Sequence, residues 1–359
     1  MNHYKETIRL GVPIMLGQLG IIIVGFADNI MVGHHSTQEL AAASFVNNFF
    51  NLAFIFGMGF SYGLTPIVGR LFAQKQYAEV GATLKNSLAI NFIVGILLSL
   101  CMLFLLFNLD WLNQPKELYP YIIPYYILQL FSVVFTMLFN SFKQFSDGTT
   151  DTLTPMYVML SANVVNIIGN YFLIYGHGGF PELGLTGAGI STLFSRILTL
   201  AAFCWLFCWR KKYAEYVKGF KQSVINRESI RNLVRLGLPV GFQMGVETGS
   251  FSLSVIMMGW IGSTALAAYQ VGGVITTLGF MLYYGIGAAV SIRVSNFNGS
   301  RNNQEIRKAA QAGFVIINTC ALLFIAFLLL FRTRIGYLFT PEEEVVKLVA
   351  LFCLSLIHI

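Results

Sequence analysis

The chain has 359 residues, 56% of them hydrophobic and 11% charged, with a formal net charge of +7 and a mean hydropathy of +0.68. A soluble domain carries about 25% charged residues, so this composition has too little polar surface to face water and excludes a soluble globular fold. The basic excess follows from where the lysines and arginines sit, described below, and calls for no nucleic acid.

A helix needs about 20 apolar residues to cross roughly 30 Å of hydrocarbon. Apolar runs of that order predict spans near 8–33, 39–69, 84–108, 118–142, 154–176, 184–209, 232–261, 264–296 and 308–331, with a tenth starting near Glu344. The first run carries Asp28 and leads straight into a repeated segment, so it reads as a permanent span and not a cleaved leader. Asp28 lies in Gly25-Phe26-Ala27-Asp28-Asn29. A charge at the bilayer centre costs at least about 2.5–3.5 kcal/mol on insertion scales, so such residues are rare and mark function. Its position shortly before Gly33 leaves a second reading open, a carboxylate near the helix end that snorkels to the headgroups.

In the fifth span Asn163, Asn166 and Asn170 stand at i, i+3 and i+7, one stripe down a helical face. Such a stripe serves either ion coordination or interhelical hydrogen bonding. Thr192 and Ser195 follow in the sixth span behind Gly187-Ala188-Gly189, where packing and bonding back to the helix are the ordinary uses of a hydroxyl. One carboxylate with amide oxygens and a hydroxyl is the donor set that suits a desolvated Na⁺ or a proton relay, hard oxygens around a single ionisable group.

Glu247 lies in the seventh span, in Gly245-Val246-Glu247-Thr248-Gly249, and is expected deeper than Asp28. A structural ion pair with Arg196, the basic residue inside the sixth span, is the competing reading. Gln18, Asn47, Asn48, Gln243, Tyr269 and Gln270 add polar groups near the repeat junctions. The five cysteines all fall in apolar spans and have the spacing of neither a metal site nor a disulfide framework. His34 and His35, in a short turn, and His177, in the glycine-rich 175–184 loop, read as loop residues. No nucleophile–base pair, phosphate-binding glycine loop or hydrolase carboxylate dyad stands out, so neither an enzyme nor a cofactor is expected.

The chain also repeats itself. Arg9-Leu10-Gly11-Val12-Pro13 returns 226 positions later as Arg235-Leu236-Gly237-Leu238-Pro239. At the same shift Met31-Val32-Gly33 falls on Met257-Met258-Gly259, Leu40-Ala41-Ala42 on Leu266-Ala267-Ala268, Gly59 on Gly285 and Glu79 on Glu305. Duplicated hydrophobic halves are a common build of secondary transporters, with the site between the repeats. With the N-terminus taken as cytoplasmic, 18 of the 23 lysines and arginines fall on inner segments, which the positive-inside rule requires of that orientation. The basic run from Arg210 to Arg235 joins the halves and reads as a solvated linker in touch with anionic lipid. The expected division is an N-terminal six-helix lobe over 1–209, a cytoplasmic linker over 210–231 and a C-terminal lobe over 232–359.

In this ordered series the chain resembles the multidrug and toxic compound extrusion (MATE) transporters, and the bacterial NorM-like group in particular. The resemblance covers essentially the whole chain. Its carriers are Leu10-Gly11-Val12-Pro13 with Asp28 and Met31-Val32-Gly33, then Leu40-Ala41-Ala42, Asn166-Ile167-Ile168-Gly169-Asn170 and Leu173-Ile174-Tyr175-Gly176. Thr186-Gly187-Ala188-Gly189-Ile190-Ser191-Thr192 and Gly237-Leu238-Pro239 with Glu247 complete it.

The resemblance implies an all-α polytopic membrane fold of two pseudo-symmetric helical lobes, seated in a bacterial inner membrane and working as a monomer. It implies export of amphipathic, often cationic small molecules by alternating access, against entry of Na⁺ or H⁺. Asp28, Asn166, Asn170 and Thr192 would form the N-lobe cation site, with no metal beyond a Na⁺ at Asp28. Glu247, with Gln270, would serve substrate or a C-lobe cation. Asn170 stands where some relatives carry Asp, which lowers the negative charge of the site and leaves Na⁺ against H⁺ open.

The alternative within the superfamily is a lipid-linked oligosaccharide flippase, which lines its cavity with several basic residues; Arg196 is the single basic residue inside a predicted span and clear of its ends. The tenth span, over about 345–359, is short, and the family's two further helices do not follow, so a C-lobe truncated after the start of its fourth helix is expected. Leu354-Ser355-Leu356-Ile357-His358-Ile359 reads like the translated start of a sequencing adapter.

Overall fold

The computed structural model describes residues 2–112 and 115–356, so the end of the 354–359 stretch lies outside the described residues. No water in a hydrocarbon core can receive stray N–H and C=O groups, so an apolar segment must satisfy its backbone within itself. The described residues accordingly fold as helices, with no strand among them. In chain order they are α1 (His3–His35), α2 (Thr37–Ser61), α3 (Leu64–Ala73), α4 (Tyr77–Phe107), α5 (Tyr119–Gly148) and α6 (Leu153–Tyr175). They continue with α7 (Gly184–Trp209), α8 (Ala214–Gln222), α9 (Arg227–Ile261), α10 (Ser263–Gly299), α11 (Asn303–Ile335) and α12 (Glu343–Leu356).

Among the described residues, 8 helical segments are long and apolar enough to cross a membrane. The two predicted spans outside that set differ for physical reasons. Helix α9 has 35 residues but carries Glu228, Arg231, Arg235, Gln243 and Glu247 along its length. Helix α12 is described over 14 residues, about 21 Å at 1.5 Å per residue, against roughly 30 Å for a crossing. The predicted 39–69 span is one crossing with a break, α2 running into α3 at Tyr62 and Gly63. Pro66 accounts for the break, because it offers no N–H to the Tyr62 carbonyl and its ring crowds that carbonyl.

The chain divides into two compact units, the larger made of Leu16–Gly245 with Ser295–Asn302 and the smaller of Met1–Met15, Val246–Val294 and Asn303–Ile359. In the larger unit one core gathers Val46, Phe50, Tyr126 and Met137 from α2 and α5, and a second gathers Leu64, Leu84, Phe145, Phe203 and Tyr213. In the smaller unit Ala268, Ile275, Leu328 and Val349 form one core, and Leu10 and Ile14 of α1 pack on Ala289 and Ile292 of α10.

The repeat is visible in these contacts. A Cβ on Gly11 would sit 3.0 Å from the Gly285 carbonyl oxygen within the smaller unit. Within the larger unit a Cβ on Gly237 would overlap the Phe60 carbonyl oxygen, and one on Gly59 would sit 2.9 Å from that of Val240. Gly237 and Gly285 are the repeat mates of Gly11 and Gly59. The same pair of glycine positions therefore brings two helices into backbone contact twice, once in each unit.

The basic connection between the halves is folded, where a solvated linker was expected. Tyr213 and Tyr216 are buried against Phe145 and Phe207. Gly219 of α8 and Gly81 of α4 let the two backbones touch, since a Cβ on Gly219 would overlap the Ala78 carbonyl. Lys85 Nζ donates to the Ser223 carbonyl at 2.6 Å, and the Asn226 N–H donates to Asn86 Oδ1 at 2.7 Å.

Asp151, between α5 and α6, pins this connection. Its Oδ2 accepts from Tyr213 Oη at 2.6 Å and pairs with Lys212 Nζ at 2.5 Å, and its Oδ1 accepts the Thr154 N–H at 3.4 Å. Burial alone would raise its carboxyl pKa, but the bonds from Lys212, Tyr213 and Thr154 outweigh burial and hold it below the usual carboxylate range. Asp151→Asn is expected to cost about 1–3 kcal/mol, with the half-exposed Lys212 contributing the smaller part because solvent screens it. The carboxylate's contribution is fully present above its unfolded pKa of about 3.9 and is lost as pH falls through the depressed folded value. Melting curves of the detergent-solubilised wild type and variant should therefore differ at neutral pH and converge only at the acid end.

Candidate functional site

The sequence-predicted polar residues of the first half come together where α1, α6 and α7 meet. Small residues on α6 and α7 make that approach possible: a Cβ on Gly169 would overlap Ser191 Oγ, and one on Gly187 the Leu173 carbonyl. Asn170 Nδ2 donates to Asp28 Oδ1 at 2.5 Å. Hydrogen-bond complementarity orients the Asn166 amide with Nδ2 donating to the same Asp28 oxygen at 2.9 Å. Asn166 Oδ1 then accepts from Thr192 Oγ1 and N, both at 3.3 Å. Asn166 and Asn170 are 3% and 0% exposed, so both amides are committed to the interior.

Two amide N–H groups converge on one carboxylate oxygen, and bonds to a charged acceptor are the stronger kind. Asn170 Oδ1 is buried and has no hydrogen-bond partner among the described residues. Leaving a buried acceptor unpaired costs about 1–3 kcal/mol, so this oxygen and the carboxylate beside it form a place where a small cation or a proton gains more than it would in a fully satisfied core.

The asparagine stripe does not act as one unit. Asn163 lies beside Gly20 with its Nδ2 buried and unpartnered, and takes no part in the Asp28 cluster. Ser195 donates to the Ser191 carbonyl at 2.8 Å, the ordinary helical use of a hydroxyl. Ser191 in turn donates to the Asn166 carbonyl at 2.8 Å and ties α7 to α6.

A polar chain that the linear reading passed over adjoins this cluster. Tyr125 Oη donates to Asn47 Oδ1 at 3.0 Å, and Gln129 Nε2 donates to Tyr125 Oη at 2.9 Å. Ser132 Oγ lies 3.0 Å from Gln129 Oε1, and Arg196 Nη1 donates to Ser132 Oγ at 2.6 Å. The Arg196 guanidinium also stacks 4.2 Å above the Phe54 ring. Arg196 and Tyr125 are near enough to Asp28 to interact with it electrostatically. The available signal was the i, i+4, i+7 spacing of Tyr125, Gln129 and Ser132 on α5, which places all three on one helical face.

His35 is more than a turn residue. Its Nδ1 is 2.8 Å from Glu39 Oε2 and its Nε2 2.9 Å from Glu182 Oε1, while Glu39 Oε2 also accepts the Leu185 N–H at 2.9 Å in the first turn of α7. Glu247 on α9 and Gln270 on α10 belong to the smaller unit. Both are exposed, and neither has a hydrogen bond or ion pair among the described residues. The anticipated Glu247–Arg196 alternative finds Arg196 engaged by Ser132 and Phe54.

A family model described as MatE matches residues 13–172 and 239–358. A probable multidrug resistance protein NorM of Bradyrhizobium diazoefficiens is 28% identical over 343 residues, which cover 96% of this chain and 74% of the relative. The multidrug resistance protein NorM of Vibrio cholerae is 28% identical over 354 residues, covering 97% of this chain and 77% of the relative. Among solved structures, a MATE in the bent conformation superposes with a TM-score of 0.87 at 22% identity, over 99% of this chain and 79% of that one. A eukaryotic MATE transporter gives 0.83 at 22% identity, over 99% and 80%. At that identity the structural likeness is one of fold.

The two asparagine classes give a direct test of this geometry. Asn170→Ala removes a donor from a membrane-embedded carboxylate and should lower stability by about 1–3 kcal/mol. Asn163→Ala removes a donor that already lacks a partner and should cost less. Thermal melting of the purified variants in detergent measures both, and equal losses would contradict the assignment of donors.

Proposed function

The chain belongs to the MatE family, and from that premise we propose that it is a cation-coupled exporter of amphipathic, often cationic compounds. Multidrug efflux is the activity in the names of its NorM relatives, and the membrane-length helices supply the setting. The observation that carries the coupling proposal is the Asp28 carboxylate held by two amides with the unpartnered Asn170 Oδ1 beside it. A Na⁺ would take the carboxylate oxygen, Asn170 Oδ1 and the Thr192 hydroxyl as hard ligands; a proton would sit on Asp28 itself. Either one neutralises the charge that the α6 amides and Arg196 now balance.

In this reading two lobes, over 1–209 and 232–359, rock about a cavity between them, with the N-terminus on the cytoplasmic side of a bacterial inner membrane. Cation entry at Asp28 shifts the balance between the two packings, and substrate leaves outward. Each charge moving down 100 mV supplies about 2.3 kcal/mol, which is enough to bias a two-state element by more than tenfold. Glu247, exposed and unpaired among the described residues, offers a negative charge to a cationic substrate, and Gln270 a polar contact. The flippase alternative needs basic groups turned toward a cavity, and Arg196 is bound to Ser132 and Phe54 instead.

Dye efflux and drug susceptibility in an efflux-deficient bacterium test the reading. Asp28→Asn should abolish efflux while the protein still reaches the membrane in normal amount; undiminished efflux would return Asp28 to the role of a snorkelling surface carboxylate. Glu247→Gln should weaken transport of cations more than of neutral compounds, and an equal loss for both would take it out of substrate attraction.

A further inference from the structure

The larger unit holds a cleft that none of the Asp28 cluster lines. It has a volume of about 590 Å³ and opens where α3, the start of α4, α9 and the end of α10 come together. Each element contributes one face: Ile67, Arg70 and Leu71 from α3, Glu79 and Thr83 from α4, Asn232, Arg235 and Leu236 from α9, and Asn298 from α10. Arg70 and Arg235 are exposed, and neither guanidinium has a hydrogen bond or ion pair among the described residues. Nor does Glu79 pair with either of them. Two uncommitted guanidinium forks beside two amide side chains form a donor array matched to a phosphate diester, which arginine binds through paired N–H groups.

Position and lining choose among phosphate carriers. Three of the four elements, α3, α4 and α10, belong to membrane-length segments and meet the cleft near their ends, where a crossing helix reaches the headgroup layer. Basic pockets between helices at that level bind anionic lipid headgroups. Ile67, Leu71 and Leu236 give the cleft an apolar wall next to its arginines, a match for an amphipathic anion and not for a small soluble one. The single carboxylate, Glu79, would accept bonds from headgroup hydroxyls. Two arginines against one glutamate leave a net positive site, complementary to a lipid of net negative charge.

We infer that this cleft binds the phosphodiester headgroup of an anionic phospholipid of the phosphatidylglycerol type, through Arg70 and Arg235 with Asn232 and Asn298. A lipid seated there bridges α3 of the first repeat to α9 of the second, on the side that the proposed orientation gives to the cytoplasm. The inference leans on that orientation only for the choice of leaflet, and its test reads no transport.

The test is a titration of the purified full chain in detergent with phosphatidylglycerol, phosphatidylcholine or soluble glycerol 3-phosphate. Melting temperature and lipid retention by native mass spectrometry are followed together. Phosphatidylglycerol should raise the melting temperature and stay bound, the other two should not, and Arg70→Gln with Arg235→Gln should weaken its apparent affinity by about tenfold or more, equivalent to about 1.4 kcal/mol. Should the double variant melt lower on its own, retained lipid per protein still decides, because it does not depend on the melting point. Equal effects of phosphatidylcholine, full retention in the double variant, or an equal response to glycerol 3-phosphate would each overturn the assignment, the last by making it a site for soluble anions.

Discussion

Everything specific about this protein follows from one constraint: inside a bilayer a polar group must find its partner in the protein. Backbone groups meet that constraint by forming helices, which accounts for the absence of strands among the described residues. Side chains meet it by pairing across helices. Asp28 is the sharpest case, because its carboxylate is held by Asn166 and Asn170 from the facing α6. The small residues along α6 and α7 matter because they bring those amides and Thr192 within reach. Packing and chemistry thus depend on each other, and a larger residue at Gly169 or Gly187 would disturb the amides without touching them.

The same constraint explains what the linear chain revealed and what it hid. Helices, their order and the meeting of Asp28 with Asn166, Asn170 and Thr192 were legible, since apolar length, helical spacing and family resemblance each carry across the membrane unchanged. The split of the asparagine stripe was not legible. Asn163 has the same residue type and the same helical face as its neighbours, and only the direction of the opposing helix sends it to Gly20. The Tyr125–Gln129–Ser132–Arg196 chain was hidden because tyrosine and serine are common on packed helices, and their spacing gains meaning only once Arg196 arrives from α7. The packing of the connection through α8 was hidden because its exposed lysines and arginines outnumber Tyr213 and Tyr216, which carry it.

The duplication gives the two units a shared device. Gly11 against Gly285, and Gly237 against Phe60, put backbones in contact at positions related by the repeat. Interfaces between small residues lack long side chains that must interlock, so they can part and close without repacking a core. Such a joint suits the alternating access proposed for this chain. In the proposed coupling, neutralising Asp28 biases that joint, and the proposed lipid cleft beside Arg70 and Arg235 shares α9 with it.

The claim at the centre is that Asp28 and its amides hold the coupling cation. Direct binding measures it most simply: retention of radioactive Na⁺ by the purified protein, with proton uptake followed by a pH indicator in the same sample. The account predicts saturable binding of one of these two cations, lost in Asp28→Asn and weakened in Asn170→Ala. Binding of undiminished affinity in Asp28→Asn would contradict it and place the coupling site elsewhere.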